Sequence, residues 1–139
     1  MKVRPFQERD RATLEAIYRN CRKEAAWLSP EIKERSDFSR DTDGEAILVA
    51  VGHDDEPEGF LSVWEAERFI HHLYVRNSSR RRGIGQALLD ALGGQMPKPW
   101  RLKCLRGNSE AIAFYLARGW NELASGTSEE GPFALLERT

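Results

Sequence analysis

The chain has 139 residues and carries 21 Lys and Arg against 22 Asp and Glu, a formal net charge of -1. That length suits one domain with a real core, and 40% hydrophobic with 31% charged residues suits a folded chain rather than a disordered one. The balanced charge argues against a broad basic face for nucleic acid or anionic membrane, and no apolar run approaches the ~20 residues of a membrane span.

Lys2-Val3-Arg4 alternates and Pro5 closes it, which predicts a first strand. Asp10 is placed to cap a helix. Ala12, Leu14, Ala16, Ile17, Tyr18 and Cys21 give that helix an apolar stripe to about residue 24. Ser29 before Pro30 reads as an N-cap with proline in the first turn, opening a short charged helix over about residues 30 to 39. Asp41-Thr42-Asp43-Gly44 is a turn. Ala46 to Val51 and Gly59 to Trp64 are strands joined by a polar turn, a hairpin. Phe69 to Val75 is a further strand, and a helix over 83–93 ends at Gly93-Gly94. Trp100 to Leu105 alternates as a half-buried strand does. Gly107-Asn108 opens the last helix, with Ala111, Phe114 and Tyr115 on one face and Gly119 as its stop. Trp120 to Leu123 starts a strand, Ser125 to Gly131 is a polar loop, and Phe133 to Leu136 is the final strand. The order is β-α-α-β-β-β-α-β-α-β-β, an α/β or α+β chain with a mixed sheet and no repeat or linker.

Cys21 and Cys104 form no CxxC pair and no metal-ligand spacing with the three histidines. Free reduced thiols in a cytoplasmic protein are expected, with no metal. The polar N-terminus, Met1 to Glu8, is unlike a signal peptide.

The stretch Arg80-Arg81-Arg82-Gly83-Ile84-Gly85-Gln86 joins a strand to a helix whose apolar positions are Ile84, Ala87, Leu88, Ala91 and Leu92. Two glycines let backbone N–H groups approach a ligand closely. A helix start leaves about four N–H groups without partners, and its dipole favours an anion. With three arginines, these parts describe a phosphate or pyrophosphate cradle. It is not the dinucleotide fingerprint, because Leu88 stands where a third small residue is required. It is not the nucleoside-triphosphate loop either, because Gly-Lys-Ser/Thr is absent.

Arg80-x-x-Gly83-x-Gly85, preceded by Leu73-Tyr74-Val75 and followed by an Ala-Leu-Leu helix, resembles the acyl-CoA signature of the GNAT superfamily of N-acetyltransferases. Asn108-x-x-Ala111-x-x-Phe114-Tyr115, then Gly119-Trp120, is similar to that family's second block, and the likeness covers nearly the full length. The resemblance implies a GNAT-like, mostly antiparallel central sheet flanked by helices, with acetyl-CoA as donor. It implies that Leu73, Tyr74 and Val75 pair with the pantetheine arm. Arg80, Arg81, Arg82, Gly83, Gly85 and Gln86 then meet the pyrophosphate, and Asn108 lies near the CoA chain. Tyr115 becomes the candidate acid that protonates the leaving thiolate, its phenol still protonated at neutral pH.

The acceptor implied is a primary amine on a small molecule, a peptide N-terminus or a lysine. A base is needed, since deprotonating a lysine-like amine at pH 7 costs roughly 4–5 kcal/mol. His71 and His72 lie on the strand where the family often places one. Strict alternation puts them on opposite faces, and His71, which shares its parity with Leu73, is favoured over His72 unless a bulge intervenes. Glu65 and Glu67 are weaker candidates. The acceptor pocket falls to residues 22–38 and 125–132, with Trp27, Phe38 and Trp64 as lining and Glu129-Glu130 as a draw for a cation. Asn77 and Ser79 depart from the family pattern, which often has proline and an aromatic residue there. The competing readings are a non-catalytic acyl-CoA-binding module of the same fold and a nucleic-acid-binding domain. Balanced charge speaks against the latter. A homodimer is compatible with the pattern but not fixed by it.

Overall fold

Branched and aromatic residues recur in the central strands of the computed structural model, which describes residues 1–139. Seven strands, β1 (Lys2–Pro5), β2 (Ala46–Val51), β3 (Pro57–Trp64), β4 (Phe69–Val75), β5 (Trp100–Leu105), β6 (Asn121–Ser128) and β7 (Gly131–Arg138), form one sheet. Its order is β1-β2-β3-β4-β5-β7-β6. Every neighbouring pair is antiparallel except β4 and β5, which are parallel and joined through a helix. The expected mixed, mostly antiparallel sheet is therefore present.

Helices cover both faces. On one side lie α1 (Arg11–Glu24), α2 (Pro30–Glu34) and α3 (Phe38–Asp41). Leu14, Ile17 and Tyr18 of α1 and Phe38 of α3 pack there on Val49, Val51 and Phe60. On the other side are α4 (Ile84–Leu92) and α5 (Ser109–Ala117). Ile84, Leu88 and Leu92 meet Leu48, Ala50, Leu61 and Val63, and Tyr115 and Trp120 join the same cluster. Leu88 and Leu92 are fully buried; truncating either to alanine costs about 2–5 kcal/mol by transfer and cavity effects. No helix is long and apolar enough to cross a membrane.

Several local expectations are corrected. The charged segment after Ser29 makes two short helices, α2 and α3, because Asp37 starts a new cap by accepting from Arg40 N. Ser29 does cap α2, through Ile32 N at 3.3 Å. The polar stretch from Ser125 is strand rather than loop: β6 runs to Ser128 and turns only at Glu129-Glu130. Edge position explains the polarity, since β6 pairs on one side only and most of it is exposed.

Asp10 makes no capping bond to α1. Its carboxylate instead accepts two bonds from Arg4, at 2.8 and 2.9 Å, and one from Gln7 N at 2.9 Å. Arg4 also reaches Asp55, so β1, the start of α1 and the β2–β3 turn are held together. Arg4 holds the Asp10 carboxyl below its ordinary range against the opposing effect of burial. A depressed carboxyl stabilises above its unfolded pKa, and that stability drains away as pH falls through the folded value. Asp10→Ala should cost about 1.5–3 kcal/mol in urea unfolding at pH 7, with the gap from the parent closing as the pH is taken below about 4.

Candidate functional site

β4 and β5 pair at one position, Phe69 with Arg101, and then part. The opening is a cleft of about 550 Å³ whose walls include Ile70 to Val75, Leu102 to Leu105 and one face of α5. The β4–α4 connection brings the N-terminus of α4 to its mouth, the place where open sheets with crossover helices bind ligands. Ser79, where the family often has an aromatic residue, is buried, and its hydroxyl donates to Glu58 at 2.7 Å, tying down the turn before the glycine loop.

The loop itself has an uncommon property. The N–H groups of Arg81, Arg82, Gly83, Ile84, Gly85 and Gln86, six in sequence, make no hydrogen bond within the protein. Arg81 (φ 65) and Gly83 (φ 77) are left-handed. Such residues alternating with ordinary ones turn successive N–H groups toward one concavity, the geometry of an anion nest. A Cβ on Gly83 would meet nothing within 4 Å, so glycine is required there by its left-handed backbone rather than by crowding. At Gly85 a Cβ would come within 3.2 Å of Phe114, so the glycine lets α4 and α5 close on one another. Gln86 leaves its N–H free while its side chain joins Asp90 and Arg118.

Asn108 caps α5 by accepting from Ala111 N at 3.2 Å. That helix carries Tyr115 into the cleft wall, edge-on to Trp120 at 5.3 Å and to Phe114 at 5.2 Å. The phenol makes no hydrogen bond within the protein, and burial pushes its pKa up, so it stays a proton donor.

The two histidines overturn the opposite-faces expectation. Ser62 pairs with His72 and Val63 with Ile70, so His71 is the extra residue of a β-bulge. Both imidazoles end on the same side, 3.9 Å apart. His71 Nδ1 lies 2.6 Å from Glu45 Oε2, and Ser62 Oγ lies 2.9 Å from His72 Nδ1. Burial works to raise the Glu45 carboxyl, but His71 and His72 outweigh it and hold it below the usual carboxylate range. Burial pushes the His72 imidazole down.

Beyond the histidines lies a second, polar cleft of about 340 Å³, which shares Arg22, His71 and His72 with the first. Arg22 is buried, held by Ser36 Oγ at 2.6 Å and Glu130 at 3.2 Å. The expected aromatic lining is only partly realised. Trp27 lines the large cleft, but Phe38 is core beneath α1 and Trp64 stands over Gly44. Glu130 and Glu129 are paired with Arg22 and Arg35.

Leu73, Tyr74, Val75, Arg80, Arg81, Gly83, Gly85, Gln86, Asn108, Tyr115 and His71 thus surround one cleft. Arg82 does not line it and is exposed; only its N–H belongs to the free run. Glu45 and Ser62 escaped sequence reasoning, and Arg22 fell within the expected 22–38 pocket segment without being singled out. No motif marks them, and only the strand register brings Glu45 beside a residue 26 positions away.

A model of the Acetyltransferase (GNAT) family matches residues 11–120. The chain belongs to the GNAT acetyltransferase family. Membership implies acyl transfer as the class of chemistry. Solved GNAT-like structures agree on the fold. Apo YjaB of Escherichia coli superposes with TM-score 0.83 at 21% identity, over 98% of this chain and 95% of that one. The PaiA N-acetyltransferase of Thermoplasma acidophilum, in complex with coenzyme A, gives 0.81 at 21% identity over 99% and 97%. A GNAT phosphinothricin acetyltransferase of Sinorhizobium meliloti, in complex with AcCoA, gives 0.69 at 22% identity over 99% and 86%. A search of curated protein sequences returns no match.

Burial raises all three phenols of this GNAT protein, Tyr18, Tyr74 and Tyr115. A raised phenol leaves stability intact below the unfolded value of about 10 and withdraws it as pH rises further. In a spectrophotometric titration, tyrosinate absorbance should therefore stay low past pH ~10.5 and then appear together with loss of the far-ultraviolet circular dichroism signal. A step near pH ~10 with the fold intact would contradict the buried placement.

Proposed function

We propose that the protein is an acetyl-CoA-dependent N-acetyltransferase that moves an acetyl group to a primary amine of a small molecule or peptide by direct attack in a ternary complex. The single observation that carries this reading is the run of six unpaired N–H groups at the mouth of the parted strands. A diphosphate supplies what those groups lack, and the helix dipole adds about 0.3–1 kcal/mol per favourable contact, up to ~2 when partly buried. From there the cleft leads along β4, where Leu73, Tyr74 and Val75 can pair with an extended pantetheine arm as with an added strand, and ends beside Tyr115. Two structural neighbours, from Thermoplasma acidophilum and Sinorhizobium meliloti, hold coenzyme A and AcCoA.

The acceptor approaches through the polar cleft on the far side of the histidines. Its nitrogen forms a bond to the thioester carbonyl carbon, the C–S bond breaks, and the electron pair leaves on sulfur. Tyr115 gives its phenolic proton to that sulfur. His71, its Nδ1 engaged by Glu45, takes the nitrogen's surplus proton on Nε2. Glu45 fixes the orientation of the ring, as the carboxylate does in carboxylate–histidine pairs of other enzymes.

Tyr115→Phe keeps the buried ring and removes only the proton donor. Its kcat for acetyl-CoA-dependent transfer to an amine panel should fall at least about tenfold, with little change in KM for acetyl-CoA. An unchanged kcat removes Tyr115 from the mechanism. Gly83→Glu strains the left-handed turn of the amide run and adds a negative charge beside it; it should abolish CoA binding in calorimetry, and retained affinity would put the anion site elsewhere.

A further inference from the structure

We infer that Glu45, His71 and His72 form a binding site for a zinc-type divalent cation at the junction of the two clefts. One ligating atom from each residue lies within 4.8 Å of the other two. The measured separations are 2.6 Å from His71 Nδ1 to Glu45 Oε2 and 3.7 Å from His72 Nδ1 to Glu45 Oε1. Tetrahedral zinc with bonds of about 2.0–2.2 Å places its ligands roughly 3.4 Å apart, between these two values. An ion therefore replaces the 2.6 Å hydrogen bond between His71 and Glu45, whose two atoms move apart to ligand spacing.

The independent observation is the carboxylate. The Glu45 side chain is 6% exposed, and its Oε1 is a buried oxygen with no hydrogen-bond partner. Fully buried carboxylate oxygens are satisfied in nearly all folds. This one points at His72, the direction from which a cation bridging both imidazoles would meet it. The β-bulge that brings the rings to 3.9 Å is the device that assembles the set. Ser62 Oγ now holds His72 Nδ1 at 2.9 Å, so an ion that binds through that nitrogen displaces the hydroxyl.

Two imidazoles and one carboxylate suit zinc, cobalt or nickel and disfavour magnesium and calcium, which take oxygen sets. Three protein ligands leave a position open to water or another donor. A filled site breaks the Glu45–His71 Nδ1 contact that orients the ring, so zinc inhibits any transfer in which His71 acts as base. That consequence rests on the function proposed above; the binding itself does not.

The test uses the full untagged chain without substrate. Cobalt(II) titration should produce the visible absorption of a four- or five-coordinate ion, with a dissociation constant at or below ~10 µM. Zinc should displace the cobalt and magnesium should not. His71→Ala, at an exposed position, and Glu45→Gln should each weaken binding about tenfold or more, whereas His53→Ala, in the exposed β2–β3 turn, should not. Thermal melts with zinc provide a second readout, since the parent should gain stability and the His71→Ala chain should not. No absorption band and no zinc-dependent rise in melting temperature would overturn the site, as would binding that His71→Ala leaves intact or His53→Ala removes.

Discussion

Six backbone N–H groups without acceptors, Arg81 to Gln86, are the constraint around which the rest of this fold is arranged. Buried or half-buried amides are nearly always paired inside a protein, so a run of this length is tolerated only where water or a ligand can reach it. The parting of β4 from β5 makes that room. The left-handed residues at 81 and 83 aim the run, and the buried stripe of α4 anchors the helix whose end it forms. Glycine at 83 takes its left-handed turn without strain, and glycine at 85 allows α5, which carries Tyr115, to close against α4. Loop, cleft and phenol are thus one packing solution.

The other end of the cleft is built by a different device. A single extra residue in β4 rotates His71 out of alternation and stacks it beside His72 over a buried carboxylate. The proposed proton relay and the proposed cation site both rest on this short strand irregularity. Arg22, buried by α1 and paired with Ser36 and Glu130, forms the shared wall of the two clefts. The polar cleft beyond it carries charges of both signs.

The glycine loop, the Asn108 cap and the helix that presents Tyr115 were legible in the sequence because each is local. Spacing, capping chemistry and periodicity fix them within a few residues. The histidine pair was not, because alternation assumes an unbroken ladder and the bulge is set by how β3 meets β4. Glu45 was invisible for the same reason, since its role depends on a neighbour 26 residues away. The polar stretch from Ser125 resembled a loop because an edge strand has little core to face, and the separation of α2 from α3 turned on one cap, at Asp37. Fold followed from pattern, whereas the acceptor side of the site followed from register.

The most direct measurement is a crystal structure of the protein with coenzyme A bound. The account predicts diphosphate oxygens within about 2.7–3.2 Å of the amides between Arg81 and Gln86, the pantetheine arm along β4, and the sulfur beside Tyr115. A diphosphate bound elsewhere, with those six amides left to solvent, would contradict it.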